Sequence, residues 1–420
     1  MIRKERLIVP VVVGLALLWG VAQYLSSVLF ERELARALED LAARGELAVK
    51  RTDVTPGWLE SRGTIHLTPR FGQAWHLELP YVARHGVLST RINGELRPYL
   101  GADNRRLFGD ALPSVPPTWQ ARYRTLGATL RGHLQLAPFI VSQEGRELDF
   151  RGGRIGFGGV YGDWRLQVRL EPWRLSDGPA TLELGPTTLE SRYAYTDAAY
   201  HFTQQDLLKV ERLALQQPDL ELDARGLILH SRTVLDEQEL RVESELTLDR
   251  LMTAEQVLLS GRVALELSRI NADALRSVLA VLRDEAARGD AAQGGRDLLA
   301  RLETQLLALL QDSPRLDIHA IDLDSPMLGL EARGNGALFF DSRQLSELSL
   351  VALANPHEQA HEQARWRARL YGDLIWYQVP KVVALWLGLP LDTEDLEIDV
   401  VRGRVRINGR PLPPALERLQ

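Results

Sequence analysis

The residue pattern with the most chemical content is His357-Glu358-Gln359-Ala360-His361. Histidines four apart share one face of a helix, where both can ligate zinc while Glu358 polarises a bound water. Several features weigh against that chemistry. Pro356 stands directly before the motif and places it in a first helical turn. The flanks Asn355, Glu362, Gln363 and Arg365 are polar, and residues 357–364 are HEQA written twice. No H-x-x-G-x-x-H continuation follows, and Glu394 is one distant carboxylate among many. The pattern predicts a solvated polar helix. No catalytic residue, metal ligand or cofactor is assigned; His357, Glu358 and His361 are the residues a zinc hydrolase would use.

A second pattern is the glycine run Gly152, Gly153, Gly156, Gly158, Gly159 and Gly162. A phosphate loop needs a helix opening directly after such a run. Here Asp163-Trp164-Arg165-Leu166-Gln167-Val168 alternates like a strand, and no Gly-Lys-Ser/Thr is present. The glycines therefore predict hairpin turns or bulges. No Gly-x-Ser-x-Gly elbow marks a hydrolase nucleophile. Carboxylates are dense on polar strand faces, where cross-strand Arg–Glu pairing accounts for them.

Composition bounds the remaining classes. The chain has 420 residues, 45% hydrophobic and 25% charged, with a net charge of −6 and no cysteine. That excludes a wholly disordered chain, a disulfide or thiolate site, and a general nucleic-acid footprint.

Leu7 to Phe30 carries no charge across 24 residues, enough to cross a ~30 Å hydrocarbon core. Arg3, Lys4 and Arg6 precede it, which predicts residues 1–6 in the cytoplasm and an exported remainder. A cleaved signal peptide is the competing reading, but the apolar stretch is long for one and lacks a good small-x-small site. Residues 31–45, with Leu34, Leu38 and Leu41 on one face, predict a helix that either forms a stalk or packs on the domain.

From residue 46 to 420 the apolar period changes to two. Strands are expected at about 46–54, 60–68, 73–79, 87–97, 127–136, 164–171, 180–192, 207–215, 219–230, 239–249, 256–270, 315–323, 328–340, 345–353 and 396–408. One face of each is aliphatic and the other is rich in Arg, Glu and Asp, so each buries one face only. Residues 98–120 predict a long surface loop. A helical hairpin over 272–311, with Asn271 as cap, is the natural lid for a one-sided sheet. A later helical segment spans 357–387 and carries Trp366, Trp376, Tyr377 and Trp386, either as core or as a partner surface.

Three stretches, in this order, resemble a known family. They are Val54-Thr55-Pro56-Gly57-Trp58-Leu59-Glu60-Ser61, Asp324-Ser325-Pro326-Met327, and the closing Gly403-Arg404-Val405-Arg406-Ile407-Asn408-Gly409. Gly57, Trp58, Ser61, Asn408 and Gly409 carry most of the likeness. The chain resembles the YdgA-like bacterial family, a domain of unknown function, and more distantly the AsmA-like envelope proteins. The resemblance implies an inner-membrane anchor and a periplasmic β-rich body, and it supplies no catalytic residues.

The expected fold is mainly β (α+β): a large curved antiparallel sheet, or two, with helical hairpin excursions, preceded by one transmembrane helix. The expected function is binding of lipid or another amphipathic ligand in an apolar sheet concavity, without catalysis. The alternative is an envelope scaffold acting through protein partners. The expected location is the inner membrane, single-pass, with the body in the periplasm.

Overall fold

The apolar N-terminal stretch and the charged heptads after it form one continuous helix, α1 (Glu5–Ala43), 39 residues long. The computed structural model describes residues 5–43, 47–69, 75–100, 105–106, 116–143, 145–196, 201–288 and 295–411, with the backbone alone for 5–17, 43, 100, 105–106, 143, 283–288 and 295–297.

The period-2 stretches form strands β1 (Leu47–Thr55), β2 (Glu60–Pro69), β3 (Trp75–His85), β4 (Ser89–Glu95), β5 (Arg97–Leu100), β6 (Arg105–Arg106), β7 (Thr118–Arg124), β8 (Thr129–Leu136), β9 (Phe139–Gln143), β10 (Arg146–Phe150), β11 (Gly153–Val160) and β12 (Asp163–Leu170). They continue as β13 (Trp173–Asp177), β14 (Ala180–Leu184), β15 (Thr187–Thr196), β16 (His201–Gln217), β17 (Leu220–Leu235), β18 (Glu239–Thr253), β19 (Gln256–Asn271), β20 (Arg315–Ser325), β21 (Leu330–Phe340), β22 (Leu370–Tyr377), β23 (Leu396–Val401), β24 (Arg404–Ile407) and β25 (Arg410–Pro411). The later helices are α2 (Ala272–Arg288), α3 (Gly295–Ala308), α4 (Leu350–Leu353), α5 (Gln359–Arg367) and α6 (Lys381–Trp386). The chain is mainly β, and all the strand pairings named below are antiparallel.

Two units divide it. Unit one holds residues 1–142, 149–170 and 283–288, and unit two holds 143–148, 171–282 and 289–420. In unit one the strands pair in the order β1-β2-β3-β4-β7-β8-β11-β12. Alternation puts Ile65, Tyr81, Ala83, Ile92, Ala121 and Tyr123 on one face, and Phe30 of α1 packs into them with Leu34 and Leu38 beside it. The helix is thus the cover of a one-sided sheet.

A polar seam runs through that contact. Gln23 donates its side-chain amide to the His85 carbonyl, and the Ser26 and Thr125 hydroxyls meet at 2.9 Å. His85 Nε2 lies 3.0 Å from Ser61 Oγ and its Nδ1 lies 3.1 Å from Thr90 Oγ1. Glu31 and Tyr81 both accept from Arg51. These bonds satisfy most of the groups that burial would otherwise penalise; Gln23 Oε1 and Glu31 Oε1 are buried without a partner.

The seam takes up one side of the second half of the 7–30 stretch: Gln23, Ser26, Ser27 and Phe30 are buried, while Leu18, Trp19, Val21, Leu25, Val28 and Leu29 are exposed. Among the described residues no helix is long and apolar enough to cross a membrane. The side chains of residues 5–17, the first part of the expected span, lie outside the described residues, as do residues 44–46 at the end of the expected 31–45 helix.

In unit two the order is β13-β14-β16-β17-β18-β19-β20-β21-β22-β23-β24-β25, with β15 also on β16, nearer the start of that strand than β14. α2 begins where Asn271 Oδ1 accepts from Ala274 N at 2.8 Å. Val379 and Val383, at the start of α6, pack with Leu396 and Ile407 over one end of the sheet.

Four expectations are corrected. Residues 345–353 form a 3-10 turn and α4, because carboxylates brought in from elsewhere cap the helix: Glu303 accepts from Ser349 Oγ and Val351 N, and Glu362 from Ser349 N. The 357–387 segment is two short helices around strand β22, which is drawn into the sheet by β21 and β23. Of the glycine run, Gly153, Gly156, Gly158 and Gly159 belong to strand β11, held between β8 and β12, while Gly152 and Gly162 flank it with positive φ as expected of turn residues. The 98–120 stretch contains part of β5, all of β6 and the start of β7; residues 101–104 and 107–115 lie outside the described residues.

Phe30→Ala removes a ring that is 3% exposed and should destabilise unit one by about 3–5 kcal/mol, read as a lower unfolding midpoint of the full chain. A loss under about 1 kcal/mol would mean that α1 does not seal the sheet. Burial pushes the His85 imidazole below its ordinary range, partly offset by the Glu31 carboxylate. The folded state therefore resists a proton that the unfolded chain accepts. This contribution is full above about pH 6.5 and is lost as pH falls through that value. His85→Gln should flatten the stability profile between about pH 7 and 5.

Candidate functional site

The residues singled out by sequence fall into three groups. Gly57, Ser61, Asn408 and Gly409 are structural. A Cβ on Gly57 would sit 2.2 Å from the Glu60 carbonyl oxygen. Ser61 is fully buried, so its contact with His85 is closed to any substrate. Asn408 and Gly409 both have positive φ, and Asn408 Oδ1 accepts from Glu397 N at 2.8 Å. Trp58 is exposed beside the turn.

The four aromatics separate. Trp366 rests on Phe340 with ring centroids 5.6 Å apart. Trp376 packs against the cluster of Val379 and Leu396 and donates to the Glu331 carbonyl at 3.2 Å. Tyr377 is partly exposed and donates to Asn335 Oδ1 at 3.4 Å. Trp386 is 69% exposed, with Leu385 and Val382 next to it on α6. They do not form one surface.

His357, Glu358 and His361 are exposed at the start of α5. No third ligand joins them among the described residues. The buried carboxylate of this helix is Glu362, which accepts from Ser349 N and Arg365.

Two sheet faces remain as sites. In unit two, register aligns Leu189, Leu208, Leu229, Leu246, Val263 and Ile321 across six strands, β15 to β20. At strand spacing this row is about 24 Å long. A neighbouring row runs through Val210, Leu227, Leu248, Gly261 and Leu323. None of the first six is buried, and Leu246 is 41% exposed. Six aliphatic side chains in one line, none of them fully covered, make a surface that gains from contact with hydrocarbon.

In unit one, the face opposite α1 is cationic. Register aligns Arg84, Arg91, Arg122, Arg131, Gly158 and Arg165. The next row is Asn93, Gln120, His133, Gly156 and Gln167. Arg91, Arg122 and Arg131 of the first row, the whole second row, and Arg154 and Arg169 line a trough of about 520 Å³. Arg84 pairs with Glu60 and Arg122 donates to Ser89. No described carboxylate pairs with Arg91, Arg131, Arg154, Arg165 or Arg169. Unit two contrasts with this: Arg212, Arg225, Arg241, Arg315 and Arg343 each reach a carboxylate within 3.1 Å. Like charges directly opposite on adjacent strands destabilise a sheet. The row is a standing cost that a bound anion would relieve. Sequence reasoning missed it because each arginine looks like an ordinary polar-face residue until register stacks them.

A family model described as a bacterial protein of unknown function (DUF945) matches residues 2–364, and the chain belongs to that family. No curated protein and no solved structure matches it. The YdgA-like and AsmA-like likenesses stay resemblances beside this finding.

Arg131→Gln should raise the unfolding midpoint of the unliganded chain at low salt, by the equivalent of about 0.2–1 kcal/mol. Added salt should shrink the gain by screening the row. A lower midpoint for the variant would show that the row is not repulsive.

Proposed function

We propose that this member of DUF945 is a non-enzymatic, membrane-tethered binding protein that holds the acyl part of a lipid on the aliphatic face of unit two. The in-register row from Leu189 to Ile321 carries this reading. Its chemistry favours hydrocarbon over a protein partner. Interface centres concentrate aromatic and arginine anchors, whereas this row is aliphatic throughout. An acyl chain asks only for uniform apolar contact along its length, and about 24 Å of sheet offers that. The tether rests on the charge-free stretch Leu7 to Phe30 and the positive residues before it, which also support an inner-membrane location with the body in the periplasm.

A second reading, binding of an anionic ligand in the unit-one trough, is favoured by the unpaired arginines Arg91, Arg131 and Arg169. It concerns a separate surface and stands or falls independently.

Full-length protein reconstituted in vesicles with a phospholipid bearing a photoactivatable acyl chain should form adducts within residues 189–323. Leu229→Asp with Leu246→Asp should reduce those adducts several-fold while adducts on α1 persist. Labelling confined to α1, or labelling of unit two unchanged by the double substitution, would overturn the reading.

A further inference from the structure

The hairpin of β2 and β3 carries a feature that neither ligand-binding reading uses. His66 on β2 lies opposite Glu78 on β3. His76 is two residues before Glu78, so alternation places its side chain on the same outward face. Strand β5 then sets Tyr99 opposite His76. Three potential ligand atoms converge. His66 Nδ1 is 3.3 Å from His76 Nε2, His76 Nε2 is 3.4 Å from Glu78 Oε1, and His66 Nδ1 is 3.9 Å from the same oxygen. Among the described residues this is the one group of three such ligands within reach of a single ion.

We propose that His66, His76 and Glu78 form a zinc-binding site with its fourth position open. A tetrahedral zinc with ligands at about 2.05 Å has ligand–ligand edges of about 3.3 Å. Two of the three observed edges already match, and the third, at 3.9 Å, needs a shift of about half an ångström. The donor set, two imidazoles and one carboxylate, is among those that zinc accepts with a water or ligand completing the tetrahedron.

The surroundings fit a ligand role. His66 Nε2 lies 2.8 Å from Thr52 Oγ1. A proton donated there leaves the Nδ1 lone pair free for the ion, which is how outer contacts fix the tautomer of a ligating histidine. Tyr99 donates to Glu78 Oε2 at 3.2 Å, holding the carboxylate with Oε1 toward the histidines. The Tyr99 ring also stacks on His76 at 5.1 Å, which limits rotation of that imidazole. Side-chain exposures of 24–25% leave room for an ion to enter from solvent. The neighbouring cations do not occupy the position: Arg97, opposite Glu78, is turned to Glu95 at 2.9 Å, and Lys50, opposite His66, is exposed. The pattern is invisible as a motif because its spacing is that of a hairpin register. The helical histidine pair at 357 and 361, which has the motif, has no third ligand beside it among the described residues.

The full chain, carrying no polyhistidine tag and purified in mild detergent without chelator, should hold about one zinc per chain by elemental mass spectrometry. Cobalt(II) loaded in its place should give the visible absorption of a four-coordinate ion. His66→Ala with His76→Ala should abolish both signals. His357→Ala with His361→Ala should leave them unchanged. Thr52→Val keeps every ligand and should weaken zinc about 10–100-fold in competition with a chromogenic chelator, which separates loss of the site from failure to fold. Absence of stoichiometric zinc and of the cobalt band in the wild-type chain would overturn the proposal. So would metal that survives the His66/His76 change, or that disappears with the His357/His361 change.

Discussion

The constraint from which the architecture follows is that each strand has one aliphatic face and one polar face. A sheet built this way has one side that water disfavours, and something must lie against it. In unit one that cover is α1, whose Phe30 enters the cluster of Ile65, Tyr81, Ile92 and Tyr123. In unit two α6 closes the end at Leu396 and Ile407, while the row through Leu229 and Leu246 is only partly covered.

Arginine shows the same division of labour. Where Arg225 meets Asp223, or Arg315 meets Asp317, the pair belongs to an ordinary solvated face and contributes little to stability. Where Arg91, Arg122 and Arg131 face one another, the carboxylates are elsewhere although the chain carries more acidic than basic residues. Charge placement that opposes the fold locally is common at sites serving a purpose other than folding.

The sequence made the strands legible because alternation is local. β16 to β19 and the α2–α3 pair could be read from periodicity, and so could the one-sidedness of the sheets. What could not be read depends on partners far along the chain. Leu345 to Leu353 alternates well enough to suggest a strand, and Glu303 and Glu362 decide otherwise by capping α4. Gly156 and Gly158 look like turn residues until β8 and β12 bracket them. The arginine row and the His66–His76–Glu78 group exist only through register. The H-E-x-x-H string, legible at once, leads to an exposed helix start.

The seam between α1 and unit one also has a temporal meaning. Its hydrogen bonds join residues separated by 62 and 99 positions, Gln23 to His85 and Ser26 to Thr125. The helix is synthesised first and must wait for about a hundred residues before the surface it covers exists. Contacts of such long range form late and slowly. During that interval an apolar helix with buried-type residues on one side has no protein partner, which is the circumstance in which chains aggregate. The interval closes only when β2, β3 and β7 are in place to take up Phe30.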